Sequence, residues 1–214
     1  MYAFGECNAS HTYICNDCQE IFQFFQNLKD GLNSSYHNEI QEFQDRILYY
    51  LAHQTRKTYL NAQFNAALLD LNEDGAILVV DYKMKILPKT ARETKQEFFG
   101  KKGWALHTVL LYTKSKNNSE INIQAIDHWS TDARQDAWFS ASSLHSVIEN
   151  LEIKPKWVSI ISDNGPHYHN SELMIIMSKW YEWYEIQVKK WIFLEADETK
   201  TTVDSHHAQV CSEK

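Results

Sequence analysis

The length, composition and charge of the chain limit what it can be. Its 214 residues suffice for one sizeable domain with a short appendage. A content of 43% hydrophobic and 23% charged residues, with only 6 Gly and 3 Pro, excludes a disordered or fibrous chain. The formal net charge of -7 argues against a protein that coats itself in DNA, because phosphate binding needs an excess of Lys and Arg.

Apolar residues at helical spacing predict a helical arm from residue 16 to about residue 70, broken at Asn33-Ser34-Ser35. No run of residues approaches the roughly 20 apolar residues of a membrane span, and the first residues lack the features of a signal peptide. We therefore expect an intracellular protein with no membrane contact.

Four soft metal ligands precede the arm with the spacing C-x3-H-x3-C-x2-C, and they are Cys7, His11, Cys15 and Cys18. This set is a possible Zn²⁺ site, although the spacing matches no standard zinc finger. The alternatives are reduced thiols at a frayed terminus, or half of a zinc module whose remainder lies upstream.

The residues after the arm predict an α/β domain. Three strands, AILVVDY ending on Asp81, WALHTVLLYTK and INIQAIDHW, predict an antiparallel meander. They are followed by a helix and by a fourth strand with Asp163 at its exit. A long helix at about 171–184, a fifth strand and a helix holding Asp204 come next. We expect residues 1–71 to form the Cys/His segment and arm, and residues 72–214 to form a mixed five-stranded sheet flanked by helices.

Three carboxylates stand at the ends of these elements. If the first and fourth strands are neighbours, Asp81 and Asp163 share one edge of the sheet, where the last helix can present Asp204. Two divalent ions roughly 3.5 to 4 Å apart need such converging carboxylates to carry out phosphodiester transfer. A lone Asp at each place would be a turn residue or a helix cap, but the joint pattern favours a metal site.

Three separated stretches carry a resemblance to a known family. DYKMKILPKTARETKQEFFGKKGWALH, SDNGPHYHNSELM and FLEADETKTTVDSHHAQV resemble the catalytic core of transposase-related proteins with a ribonuclease H-like fold. The resemblance implies that Asp81, Asp163 and Asp204 form the acidic triad, with two Mg²⁺ or Mn²⁺ ions as cofactor. It also implies metal-dependent DNA cleavage and strand transfer, as in transposases and integrases, and a nuclear location. A homodimer is a further expectation.

Two departures from the family pattern favour a decayed copy of a transposon-derived protein. Asp197-Glu198-Thr199-Lys200 replaces a glycine-rich turn expected before the third acid, and the chain ends ten residues after Asp204. Two alternatives therefore stay open: a catalytically inactive DNA- or protein-binding module on the same fold, and a ribonuclease H-like exonuclease.

Other residues near the triad have two interpretations each. A basic segment follows Asp81 and is interpreted either as the DNA path or as a solvated face; the candidates are Lys83, Lys85, Lys101 and Lys102. Asp127 is a possible further acid, and Glu195 and Asp197 are rivals of Asp204. Nearby imidazoles are either proton carriers and metal ligands or plain hydrogen-bond partners: His167, His169, His206 and His207.

Overall fold

A computed structural model of the chain describes residues 16–87, 92, 94–100, 103–115, 120–132, 134–194 and 201–212. The chain divides into two compact units, residues 1–59 and 60–214. Within the described residues, no helix combines the length and the apolar character needed to cross a membrane.

The described residues of the first unit are mainly helical, as predicted. Helix α1 (Asn16–Gly31) is followed by a 3-10 turn (Ser34–Tyr36) and by α2 (His37–Asp70), whose last residues belong to the second unit. The side chain of Asn33 accepts a hydrogen bond from the Ser35 backbone N–H at 3.0 Å, which caps the turn and explains the predicted break. Phe25 and Ile40 are buried.

The second unit contains five strands and the remaining helices. They are β1 (Gly75–Ile86), α3 (Lys95–Gly100), β2 (Trp104–Lys114), β3 (Ile121–Ser130), α4 (Ala137–Glu149), β4 (Trp157–Asp163), α5 (Ser171–Ser178), α6 (Trp180–Tyr184), β5 (Gln187–Leu194) and α7 (Thr201–Ser212). The predicted order of strands and helices is confirmed, and α3 is an addition that the sequence did not indicate.

The single long helix predicted at about 171–184 is wrong. The chain ends α5 at Ser178, whose hydroxyl donates to the Ile175 carbonyl at 2.7 Å, while the Lys179 N–H donates to the Ile176 carbonyl at 3.1 Å. Both bonds reach back three residues instead of four, so the last turn tightens and α6 begins anew at Trp180.

The sheet has the strand order β3-β2-β1-β4-β5. Strands β1, β2 and β3 pair antiparallel, and β4 runs parallel to both β1 and β5. This arrangement confirms the predicted meander and the predicted class, a mixed five-stranded α/β sheet flanked by helices.

Alternating residues of the central strand serve two hydrophobic layers. Leu78 and Val80 pack in one layer with residues of α4, α5 and α6, such as Leu144 and Leu173. Ile77 and Val79 face the other layer, which contains Ala67 at the end of α2, Leu71 directly after it, and Val203 of α7. Because successive side chains of a strand point to opposite faces, Asp81 lies on the α7 side.

The prediction that the first strand ends on Asp81 is wrong, since β1 continues to Ile86. The parallel pairing with β4 extends to Val79, opposite Ile161. The antiparallel pairing with β2 continues through Asp81, opposite Thr108, and beyond. Asp81 therefore lies where β1 loses one paired neighbour and keeps the other.

Candidate metal centre

Two of the three predicted carboxylates meet at one point, together with a histidine. Asp81 is 8% exposed on β1, and Asp204 and His207 come from α7. One ligand atom of each of these three side chains lies within 4.8 Å of the others, and the residues described contain no other such group of three. Asp204 and His207 are three residues apart, so one face of α7 presents both to the sheet.

Helix α7 is anchored beside the sheet by its buried side chains. Val203 is fully buried in the layer that contains Ile77 and Val79, and His207 is 1% exposed one turn later. Burial of these two positions turns Asp204 toward Asp81, although Asp204 itself remains exposed to solvent.

A chain of hydrogen bonds holds the His207 ring. Thr108 Oγ1 donates to Asp127 Oδ1 at 2.6 Å, and His207 Nε2 lies 2.9 Å from the same Thr108 oxygen. His206 Nε2 lies 3.0 and 2.9 Å from the two carboxylate oxygens of Asp127. Thr108 and Asp127 are directly opposite each other in β2 and β3, so the sheet register brings them together.

Burial lowers the pKa of His207, and the carboxylate of Asp81 opposes that shift. His207 Nδ1 faces Asp81 Oδ2 at 3.9 Å. The nearby Lys83 ammonium also lowers the pKa of His207, which places Lys83 within electrostatic range of the cluster. The imidazole is therefore neutral at pH 7, the form in which histidine ligates metals.

Asp163, the third predicted carboxylate, lies outside this group of three. It ends β4, and in the register it lies opposite Leu194, a member of the α7-side layer. The Gly165 N–H donates to Asp163 Oδ1 at 2.8 Å, and His167 Nε2 lies 3.2 Å from that oxygen. A Cβ at Gly165 would meet both the Asp163 and the His167 side chain, so a larger residue there would force these two side chains to shift.

Of the predicted DNA-binding lysines, Lys83 is exposed on β1. The following lie outside the described residues: Cys7, His11, Cys15, Lys101, Lys102, Glu195 and Asp197. The same holds for the side chains of Cys18 and Lys85.

The opposite face of the sheet carries a second polar cluster. His107 is fully buried, its Nε2 lies 2.8 Å from the Tyr168 hydroxyl, and its Nδ1 has no hydrogen-bond partner among the described residues. The Tyr82 ring packs on His107 with a centroid distance of 4.4 Å. Burial, with smaller contributions from Asp81, Tyr82 and Asp163, raises the pKa of Tyr168 well above its usual value.

Comparison with known proteins identifies a family whose function is unknown. The sequence model described as "Domain of unknown function (DUF8701)" matches residues 61–212, more than half of the chain. The chain belongs to this family. No curated protein matches it.

Two solved structures are similar to this family member at low sequence identity. The crystal structure of the Mos1 strand transfer complex has 11% identity and a TM-score of 0.38, covering 95% of this chain and 66% of that one. The Mos1 transposase paired-end complex with left transposon end has 10% identity and a TM-score of 0.33, covering 99% of this chain and 83% of that one.

The buried His107 predicts a loss of stability in mild acid. Burial, with smaller effects of His128, His167 and His207, lowers its pKa from the ordinary 6.5 to about 3. Between pH 6.5 and pH 3, His107 is protonated in the unfolded chain but stays neutral in the folded protein. Stability is therefore lost as the pH falls through this window, by about 2 kcal/mol between pH 7 and pH 5.

Urea unfolding of wild type and His107→Gln at both pH values measures this contribution, with His169→Gln, at an exposed histidine, as the control. We expect the pH-dependent loss to shrink by about 2 kcal/mol in His107→Gln only. An equal change in both variants would contradict the assignment to His107.

Proposed function

We propose that this protein is a divalent-metal-dependent core for DNA strand cleavage and strand transfer, with Asp81, Asp163 and Asp204 as its metal-binding carboxylates. The observation that carries the proposal is the convergence of Asp81, Asp204 and His207 within 4.8 Å on the α7 side of the sheet. The strand order around Asp81 supports it, because β4 with Asp163 is the parallel neighbour of β1.

The donor set fits a divalent cation. Asp81 is a buried carboxylate, and an oxygen of the Asp204 carboxylate lies within 4.8 Å of one of its oxygens. Two like charges this close repel each other. A cation between them offsets both this repulsion and the cost of burying a charge. Carboxylate oxygens and a neutral imidazole are ordinary ligands of divalent metals.

The residues of the chain would position the reacting groups. A bound divalent ion supplies Lewis acidity and lowers the pKa of a bound water. The central strand β1 holds Asp81 rigidly, α7 presents Asp204 at the solvent side, and the turn after β4 orients Asp163. Asp81, Asp163 and Asp204 would hold the divalent metal.

DNA is the proposed substrate, as the sequence resemblance implies. Lys83 lies two residues after Asp81 on the same face of β1 and is exposed, so its ammonium group can contact a phosphate. Further along this face, Trp104 and Trp129 are 45% and 41% exposed and pack edge to face at a centroid distance of 6.0 Å. Exposed indole faces beside a nuclease centre suit the stacking of unpaired bases.

A catalytically inactive binding module is the second candidate. One observation favours it: Asp163 Oδ1 already accepts a hydrogen bond from Gly165 and lies beside His167, outside the tight group of ligand atoms. A site that lacks Asp163 would hold one ion and would not clamp both the attacking and the leaving oxygen. Metal binding without strand cleavage is the result that this candidate predicts.

Asp81→Asn and Asp204→Asn should each weaken Mn²⁺ binding by at least about tenfold, because removing a direct ligand costs no less than disturbing an outer one. Asp163→Asn should abolish the nicking of supercoiled plasmid DNA. Calorimetry with Mn²⁺ and the nicking assay measure the two effects, and Asp74→Asn, at the opposite end of β1, is the control. Unchanged Mn²⁺ binding in Asp81→Asn would refute the metal centre.

Lys83→Gln should weaken DNA binding with little sequence preference and reduce the slope of log affinity against log salt by about 1, since one phosphate contact is lost. Lys156→Gln is the matched control, because Lys156 is an exposed lysine that pairs with Asp74 at the opposite end of the sheet. Fluorescence anisotropy at several salt concentrations gives both slopes. Equal slopes in wild type and Lys83→Gln would remove Lys83 from the DNA path.

A further inference from the structure

We infer that His207 ligates the proposed metal ion through Nδ1, and that Thr108, Asp127 and His206 are positioning residues that fix its ring for this purpose. The inference rests on the proposed function and deepens it, because it names the class of ion. A site of two carboxylates and one imidazole selects a transition-metal ion such as Mn²⁺ over Mg²⁺.

The direction of the hydrogen bonds determines which nitrogen of His207 carries the proton. The Thr108 hydroxyl has a single proton, which it donates to Asp127 Oδ1 at 2.6 Å. The same oxygen must then accept from its other neighbour, His207 Nε2, at 2.9 Å. Nε2 therefore carries the ring proton, and Nδ1 presents a lone pair.

The lone pair of Nδ1 points toward carboxylate oxygens. Nδ1 lies 3.9 Å from Asp81 Oδ2, too far for a hydrogen bond, and the ring is 1% exposed. Asp204 completes a group whose ligand atoms lie within 4.8 Å. Three electron-pair donors at this spacing leave room for a cation between them.

Asp127 is held at both oxygens, which makes the arrangement rigid. It accepts from Thr108 and from His206 Nε2, so neither of its oxygens depends on solvent alone. A carboxylate behind a ligating histidine fixes the ring orientation and raises the basicity of the ligand. In this protein the carboxylate acts through a threonine hydroxyl, since Thr108 stands between Asp127 and His207.

The imidazole decides the class of ion. Mg²⁺ prefers oxygen ligands and keeps most of its water, whereas Mn²⁺ and later first-row ions accept imidazole. With one nitrogen donor fixed in the site, the affinity for Mn²⁺ should exceed that for Mg²⁺.

Thr108→Val and Thr108→Ser form the matched pair that tests the inference. Valine keeps the shape of the side chain and removes the hydroxyl, whereas serine keeps the hydroxyl. We expect Thr108→Val to lower Mn²⁺ affinity by roughly 10- to 100-fold and Thr108→Ser to stay near wild type. Calorimetry with Mn²⁺ and with Mg²⁺ measures the effect, thermal unfolding verifies the fold, and Asp127→Asn serves as a second variant.

The protonated nitrogen of His207 provides a readout that does not depend on metal or activity. Two-bond nitrogen–proton correlation spectra of the metal-free protein should show the Nε2–H tautomer for His207, identified by its loss in His207→Gln. Thr108→Val should populate the Nδ1–H tautomer, and Thr108→Ser should not.

The outcomes separate the inference from the function it rests on. If Asp81→Asn loses Mn²⁺ but Thr108→Val binds it as wild type does, the positioning role is wrong and the metal centre stands. If wild type binds Mn²⁺ no better than Mg²⁺, or His207 has its proton on Nδ1, the imidazole is not a ligand. If wild type binds neither ion, both proposals fall.

Discussion

Strand β1 pairs on both sides, antiparallel to β2 and parallel to β4, and this double pairing determines where the polar residues of the second unit can lie. Up to Val79 the strand is enclosed by two neighbours and two hydrophobic layers, so only apolar side chains are stable there. At Asp81 the recorded β4 pairing has ended while the β2 pairing continues, and a carboxylate can be accommodated next to solvent-exposed Asp204.

Each face of the sheet contains a buried histidine, and the two histidines have different neighbours. His107 and His207 are both almost fully buried, and in both cases burial lowers the pKa of the imidazole. His107 contacts Tyr168 and Tyr82, so it fills the helix-covered layer as a neutral polar group. His207 is held through Thr108 by Asp127 and faces Asp81 instead. The carboxylates of Asp81 and Asp127 on the α7 side therefore distinguish the surroundings of His207 from those of His107.

Much of the fold could be predicted from local pattern, whereas part of the centre could not. The apolar run before Asp81 and the alternating residues of β2 identify their strands, because hydrophobic periodicity is a local property. The split at Lys179 coincides with hydrogen bonds from Ser178 and Lys179 that reach back three residues, which periodicity does not reveal. Thr108 was missed because its role requires the register that places it opposite Asp127. The position of Asp204 three residues before His207 was the one local signal that linked the histidine to the triad.

The central claim is that Asp81, Asp204 and His207 enclose a divalent cation. Anomalous X-ray diffraction from a crystal soaked in Mn²⁺ tests it most directly, because the signal locates the ion without reference to activity. We expect an anomalous peak at direct ligand distance from a carboxylate oxygen of Asp81, one of Asp204, and Nδ1 of His207. A Mn²⁺ peak elsewhere with none at these three residues, or a His207 ring turned so that Nε2 faces Asp81, would contradict it.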